Sequence, residues 1–486
     1  MRLSKMLPCS YVLLVILSGC NYYPYPNRVV IEPWLVTPVS AQKPWEPPPE
    51  AQQHRAPLAL MMPDAQEQPL TLAEVVNIAL NNNPTTQITW AQARQAAAQY
   101  AQTQSSQFPT ITGTMSFEQG VFPTFAPTQL NVVLTTQNYI QWGPQLQVAY
   151  TVWDFGQMRE TSEAARQALY FADWTHNRAI QTLIQTISTD YYSYLYQKQL
   201  YAAYAANVET AQITLDAANV GFMAGIKDVS DVLQAKTQLL QNQTEWVAQQ
   251  QAVETSYAAL LNDMGLPANL CFAVEDLPTV IPAQIKIQDI NELISYALQQ
   301  RADLLAAEAN LQSQEANIRA VRNQFWPTLT YNFDIGRMYF LQGLHDNYDY
   351  SNMVSLNIPI FSGFSTLNAL RQAKAQKQQA KATLRQTELQ VIKDIATSHS
   401  NVKVSFETLE FSDSFLEAAQ KQYKVALAQY KAGVKTILDV VSAQSALANA
   451  RATQANAIQQ WFVSLSTLAY ATGILSENSI AEKKAF

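Results

Sequence analysis

Phe222-Met223-Ala224-Gly225-Ile226-Lys227 and, 208 residues further on, Tyr430-Lys431-Ala432-Gly433-Val434-Lys435 are two versions of one pattern. Asp231-Val232 and Asp439-Val440 follow at the same spacing, as do Met264-Gly265 and Thr472-Gly473. Upstream, Ala79-Leu80 and Phe108-Pro109-Thr110 are matched by Ala297-Leu298 and Trp326-Pro327-Thr328 at a spacing of 218. The chain therefore reads as a tandem duplication of about 200 residues, too long a period for a solenoid repeat. The ten-residue difference between the two spacings places an insertion in the first copy, most simply in a loop over 120–139.

On the amino side of each Ala-Gly pair lies a long stretch without a helix breaker. Neither Gly nor Pro occurs from Gln157 to Val220 or from Ser365 to Ala432. The spacing predicts helices over 157–222 and 365–432, each roughly 100 Å long at ~1.5 Å per residue. The returning helix, 228–264, is far shorter, and the missing length is close to that of the preceding short helix, 85–106. Those two pieces are expected to stack end to end beside the long helix, and 302–324 with 436–472 likewise. Val232, Leu239, Trp246, Val253 and Leu260 recur every seven residues, flanked by Leu233, Leu240, Val247 and Leu261, which predicts a coiled-coil seam. Val440, Leu447, Gln454, Trp461 and Leu468 are its counterpart.

Between the short and long helices the period changes to two. Ile111, Met115 and Phe117 alternate with Thr112, Thr114 and Ser116, and Leu146, Val148, Tyr150 and Val152 with Gln145, Gln147 and Thr151. The second copy repeats this with Leu329, Tyr331, Phe333 and Ile335, then Val354, Leu356, Ile358 and Ile360. Such alternation suits a half-buried sheet or a membrane strand with lipid on one face and water on the other. Phe108, Trp153, Trp326 and Phe361 stand at the strand ends next to helices, where barrels in membranes carry an aromatic girdle. Four strands cannot close a barrel, and an open sheet edge in lipid leaves backbone groups unsatisfied. Several copies must pool their strands.

Composition fits long elements and little catalysis. The 486 residues include only 13 Gly, 48% are apolar, 14% are charged, and the net charge is −7. Scattered basic residues in an acidic chain predict no nucleic-acid partner. Arg2 and Lys5 precede an apolar run too short to span a bilayer, and Leu17-Ser18-Gly19-Cys20 follows, resembling a bacterial lipobox. Residues 1–19 are thus expected to be a lipoprotein signal peptide, with a covalent lipid on Cys20 and no other cofactor. Eleven of the 22 prolines fall within residues 24–69, an extended strap between lipid and body. With Cys9 removed and Cys20 acylated, Cys271 is left as the single thiol. His54, His176, His345 and His399 have no metal-ligand spacing, and no phosphate loop occurs, so neither a metal site nor an enzyme is expected.

With duplicated halves, Phe/Trp-Pro strand starts, Trp153-Asp154-Phe155-Gly156, Phe361-Ser362-Gly363 and paired Ala-Gly tips, residues 70–475 resemble the TolC family of outer-membrane efflux ducts, in its lipid-anchored multidrug-efflux branch. The resemblance implies a mainly α fold with a membrane β-barrel portion. It implies that three chains of four strands each form a 12-stranded barrel, continued by a long α-helical periplasmic barrel. It divides the chain into first repeat 70–265, equatorial linker 266–288, second repeat 289–475 and tail 476–486. It implies a homotrimer in outer-membrane lipid, working with a periplasmic adaptor protein and an inner-membrane efflux transporter. A type I protein-secretion duct is the alternative within this architecture, and a structural periplasmic coiled-coil tether the alternative outside it. The family's gate positions fall on Asp439, Lys435, Tyr430 and Asp231, with Asp439 ringing the entrance and Tyr430 and Lys435 latched to Asp231. Lys435 stands where Arg is more familiar, and Ser442 where some members carry a second aspartate. The adaptor-contacting tips fall on Ala224, Gly225, Ile226, Ala432, Gly433 and Val434.

Overall fold

A computed structural model describes residues 69–127, 132–276, 288–340 and 347–475 of the chain. Cys20, His54 and His345 lie outside the described residues. The first repeat contains α1 (Leu72–Asn82), α2 (Pro84–Ser105), β1 (Thr110–Pro127), β2 (Val132–Trp153), α3 (Gln157–Met223) and α4 (Val229–Asp263). The second repeats the series with α5 (Ile290–Gln300), α6 (Ala302–Asn323), β3 (Thr328–Phe340), β4 (Asn347–Asn357), α7 (Ser365–Lys431) and α8 (Ile437–Thr472). Helices α3 and α7 are 67 residues each, about 100 Å at the usual rise, with Gly221 accommodated two residues before the end of α3.

The short helices stack as their lengths require. Asn83 caps α2 by accepting from the Thr85 N–H (2.7 Å), and its Nδ2 donates to the Asp263 carbonyl at the end of α4 (2.7 Å). One side chain thus closes two helix ends. In the second repeat Arg301 holds the same place between α8 and α6. It is 2% exposed, donates to the Ala471 carbonyl (3.2 Å), and pairs with Asp303 (2.6 Å) and Asp394 (3.0 Å). Gly265 and Gly473 end the incoming helices at φ +75° and +80°, a backbone that side-chain-bearing residues adopt only under strain. Val75, Val76, Ile184, Ile187, Leu260, Leu261 and Met264 pack around the first seam, where Leu70 bridges to Val274 of the linker.

Helices α2 and α4 lie on one side of α3, and α6 and α8 lie between α3 and α7. The sheet is antiparallel in the order β1-β2-β3-β4. Because β1 follows α2, β2 leads into α3, β3 follows α6 and β4 leads into α7, strands and helices keep one lateral order, and the sheet continues the helical wall. Register gives the sheet two distinct faces. Ile111, Val148 and Phe333 align across three strands, as do Leu146, Ile335 and Tyr350, whereas Thr112, Gln147, Asp334 and Ser351 align on the opposite face. Among the described residues β1 and β4 each have one neighbouring strand, so the strip they bound is open.

Three expectations need correction. Residues 120–139 are not a loop inserted between short strands; they extend β1 and β2 to 18 and 22 residues, against 13 and 11 for β3 and β4. Pro123 and Pro127 lie within β1, which is an edge strand of this chain's sheet, where proline is tolerated. Strand β4 ends at Asn357, so Ile358 and Ile360 fall beyond it, where Pro359 withdraws a backbone donor. Finally, the expected seam divides: Leu239, Leu260 and Leu261 are buried, while Leu233, Leu240 and Val247 remain exposed along the outer edge of α4.

Candidate functional site

The two hairpin tips are built alike and then diverge at one residue. Gly225 (φ +71°) and Gly433 (φ +77°) occupy the left-handed position after α3 and α7. Around them the Ile226 N–H reaches the Gly221 carbonyl and the Val434 N–H the Gln429 carbonyl, the six-to-one closure that ends a helix cleanly. Ala224, Ile226, Ala432 and Val434 are exposed beside these glycines, as is Met223.

What differs is the cap of the returning helix. Thr436 caps α8, and its hydroxyl and N–H both engage Asp439 (2.8 and 3.0 Å), a capping box. Those bonds hold the Asp439 carboxyl below its ordinary range, the Thr436 N–H being the largest influence. The corresponding residue in the first copy is Asp228, whose own carboxylate caps α4 through the Val229 N–H (2.6 Å). Asp231, the match of Asp439, is thereby released from capping. It accepts a hydrogen bond from the Tyr430 hydroxyl (3.0 Å), which ties the end of α7 to the start of α4.

Tyr430 is 1% exposed and packs among Ala218, Ala235, Ile437 and Val440. Burial, and then the hydrogen bond to Asp231 and its negative charge, push its phenol above the usual value, so it remains a donor at physiological pH. Lys227 covers the ring, its Nζ 4.3 Å from the centroid, and Gly221 leaves room for the Lys227 stem. Lys435 lies elsewhere: its ammonium is 3.4 Å from Asp439, one helical turn away in sequence. Within a chain, therefore, Tyr430 meets Asp231 and Lys435 meets Asp439. Lys227, the counterpart of Lys435 at the 208-residue spacing, takes the place beside Tyr430. The 208-residue spacing by itself pairs Lys227 with Lys435 and is the sequence signal for this role. A cleft of about 490 Å³ runs beside this contact, lined in part by Ile213, Val220, Ile226, Lys227 and Tyr430.

At the other end of the helices Phe108, Trp153, Trp326 and Phe361 are all more than half exposed. They do not stand alone. Phe155 stacks on Trp326 (5.4 Å, 21°) and meets Trp153 edge-on, while Phe364 meets Phe361. Phe155 and Phe364 sit at φ +53° and +64° in the strand-to-helix turns. Asp154 fixes the first of these turns by accepting from the Gly156 and Met158 N–H groups (3.0 and 2.6 Å). Of the histidines, His176 bonds Thr89 (2.8 Å) between α3 and α2, and His399 lies on α7.

Comparison with known proteins agrees with this architecture. The TolC outer membrane protein of Vibrio cholerae is 24% identical over 423 residues, covering 85% of this chain and 93% of that one. The solvent efflux pump outer membrane protein SrpC of Pseudomonas putida is 24% identical over 476 residues, covering 93% and 96%. Among solved structures, the outer membrane protein VceC of Vibrio cholerae superposes with a TM-score of 0.71 at 19% identity, over 83% of this chain and 96% of that one. The Outer membrane efflux protein family matches residues 75–266 and 293–474, one stretch for each repeat. The chain belongs to that family.

Proposed function

We propose that this chain is the outer-membrane exit duct of a tripartite efflux pump, passing small solutes from a periplasmic adaptor and an inner-membrane transporter to the exterior. The observation that carries this reading is the sheet: one apolar face, one polar face and two unpaired edges, set above the helices in the same lateral order. In lipid the edges need partners, and copies of the same chain supply them. Three chains give 12 strands around a polar bore. The helical edges match that closure, since α4 exposes Leu233, Leu240 and Val247 and α7 exposes Val404, Phe411 and Val425. An edge that meets the opposite edge of the next copy forms a closed ring. The chain's relatives are channel proteins rather than enzymes, which implies a non-enzymatic transport role.

At the periplasmic entrance Asp439 from each subunit forms a ring that favours cations. The Tyr430–Asp231 bond holds the two hairpins of one subunit together, and the exposed tips at Ala224, Gly225, Ile226, Ala432, Gly433 and Val434 are the surface the adaptor engages. A lipid on Cys20 anchors the strap, and loss of palmitate labelling in Cys20→Ser is the expected outcome; equal labelling in both forms contradicts the anchor. The function is tested by deletion: drug and solvent hypersensitivity, restored by the cloned chain, is expected. Loss of one secreted protein with unchanged drug tolerance supports the secretion duct, and a chain extracted without detergent supports a tether.

A further inference from the structure

The apolar face of the sheet carries one charge. By register it comprises the odd-numbered residues of β1 and β3 and the even-numbered residues of β2 and β4, and among the described residues Arg337 alone is ionised there. Glu118, Asp334 and Asp349 all belong to the opposite, polar face. A guanidinium facing lipid is unfavourable near the middle of a bilayer and tolerated at its boundary. Leu329, aligned with Trp153, marks the boundary nearer the helices. Arg337 is eight residues further along β3, about 26 Å at ~3.3 Å per residue, or roughly 20 Å along the membrane normal for a strand tilted ~40°. That places it near the far edge of the ~25 Å apolar band. A second aromatic group surrounds it: Trp142 stacks on Tyr339 (4.5 Å), and Tyr339 and Tyr348 flank the guanidinium at 5.0 and 5.1 Å.

The guanidinium is held but not neutralised. No carboxylate pairs with it among the described residues, and its Nε is buried without an acceptor. Beside it an open, mainly apolar groove of about 550 Å³ is lined in part by Met115, Pro144, Leu146, Ile335 and Tyr348 and reaches Arg337 itself. The groove begins at Gly113, where a side chain would meet nothing within 4 Å. An apolar trough ending at an uncompensated planar cation, on a face turned to lipid, is complementary to an acyl chain that carries a phosphate.

We propose that Arg337, with Tyr339 and Tyr348, binds the phosphate of a phosphorylated glycolipid of the lipid A type in the leaflet remote from the helices, with one acyl chain lying in the groove at Gly113. The assignment rests on the barrel reading above. The test is native mass spectrometry of the detergent-extracted full-length trimer titrated with lipid A, dephosphorylated lipid A and phosphatidylglycerol. Expected are retention of lipid A, at least tenfold weaker retention of the dephosphorylated form, and weaker retention of phosphatidylglycerol. Arg337→Gln should weaken lipid A binding about tenfold, and Gly113→Leu, which fills the trough without touching the charge, should weaken it too. Equal binding of phosphorylated and dephosphorylated lipid by the unaltered protein overturns the phosphate site, and equal binding of phosphatidylglycerol overturns the glycolipid assignment. Failure to obtain a trimer at all contradicts the barrel reading instead.

Discussion

Replacing Tyr430 by Phe removes one oxygen atom and leaves the buried ring, with Lys227 above it, in place. What is lost is the 3.0 Å bond to Asp231 that joins α7 to α4. A hydrogen bond to a charged acceptor contributes about 1.5–3 kcal/mol, and the partial exposure of Asp231 argues for the lower end. If three such latches release together, about 4.5 kcal/mol of closed-state stabilisation disappears, on the order of a thousandfold in the ratio of open to closed tips at ~1.4 kcal/mol per decade. Single-channel recording in planar bilayers reads this directly. Tyr430→Phe should raise time-averaged conductance, and adding Asp231→Asn should raise it little more, because both changes remove the same bond. Unchanged conductance in Tyr430→Phe, or fully additive effects of the pair, refutes the latch.

Gly265→Ala should lower the melting temperature, because φ is +75° and the new Cβ would stand 2.7 Å from the Asn82 carbonyl oxygen; an expected loss of about 1–3 kcal/mol follows from the strain alone. Arg301→Ala leaves Asp303 and Asp394 without their buried partner and should cost about 3–5 kcal/mol in thermal or denaturant unfolding, whereas a surface ion pair such as Arg385–Glu388 should cost under ~1 kcal/mol. Asp190 in α3, whose Oδ2 is buried without a partner, is raised by desolvation, and then by the neighbouring Asp263 carboxyl, to about 7. Its folded-state value lies above its unfolded one, so its stabilising contribution is full in acid and is lost as pH rises through about 7. Melting at pH 5 and pH 8 checks this: Asp190→Asn should be stabilising at pH 8 and flatten the slope, and an unaltered slope contradicts it. Asp439, held low by Thr436, should keep the channel cation-selective as pH falls through the ordinary carboxylate range near 4, read as reversal potential.

Much of this was legible because the governing patterns are local. The absence of breakers placed both long helices to within a residue or so, and matched lengths foretold the stacking that Asn83 and Arg301 accomplish. Alternation around Ile111, Leu146, Leu329 and Val354 identified four strands and the side each presents. Strand length was not legible, since Gly120, Pro123 and Pro127 are breakers by local rules and only pairing with β2 overrides them. Nor was the partner of Lys435. The choice between Asp231 and Asp439 turns on whether residue 228 or 436 caps with a carboxylate or a hydroxyl, a contest settled in three dimensions. The charge of Arg337 on the lipid side emerges only once register assigns it to a face.

The closed wall depends on edge strands that a single chain leaves unpaired among its described residues. Native mass spectrometry of the protein extracted from outer membranes counts the chains that pair them: three per particle is the predicted result, and a stable particle of one chain contradicts the closed wall on which the channel depends.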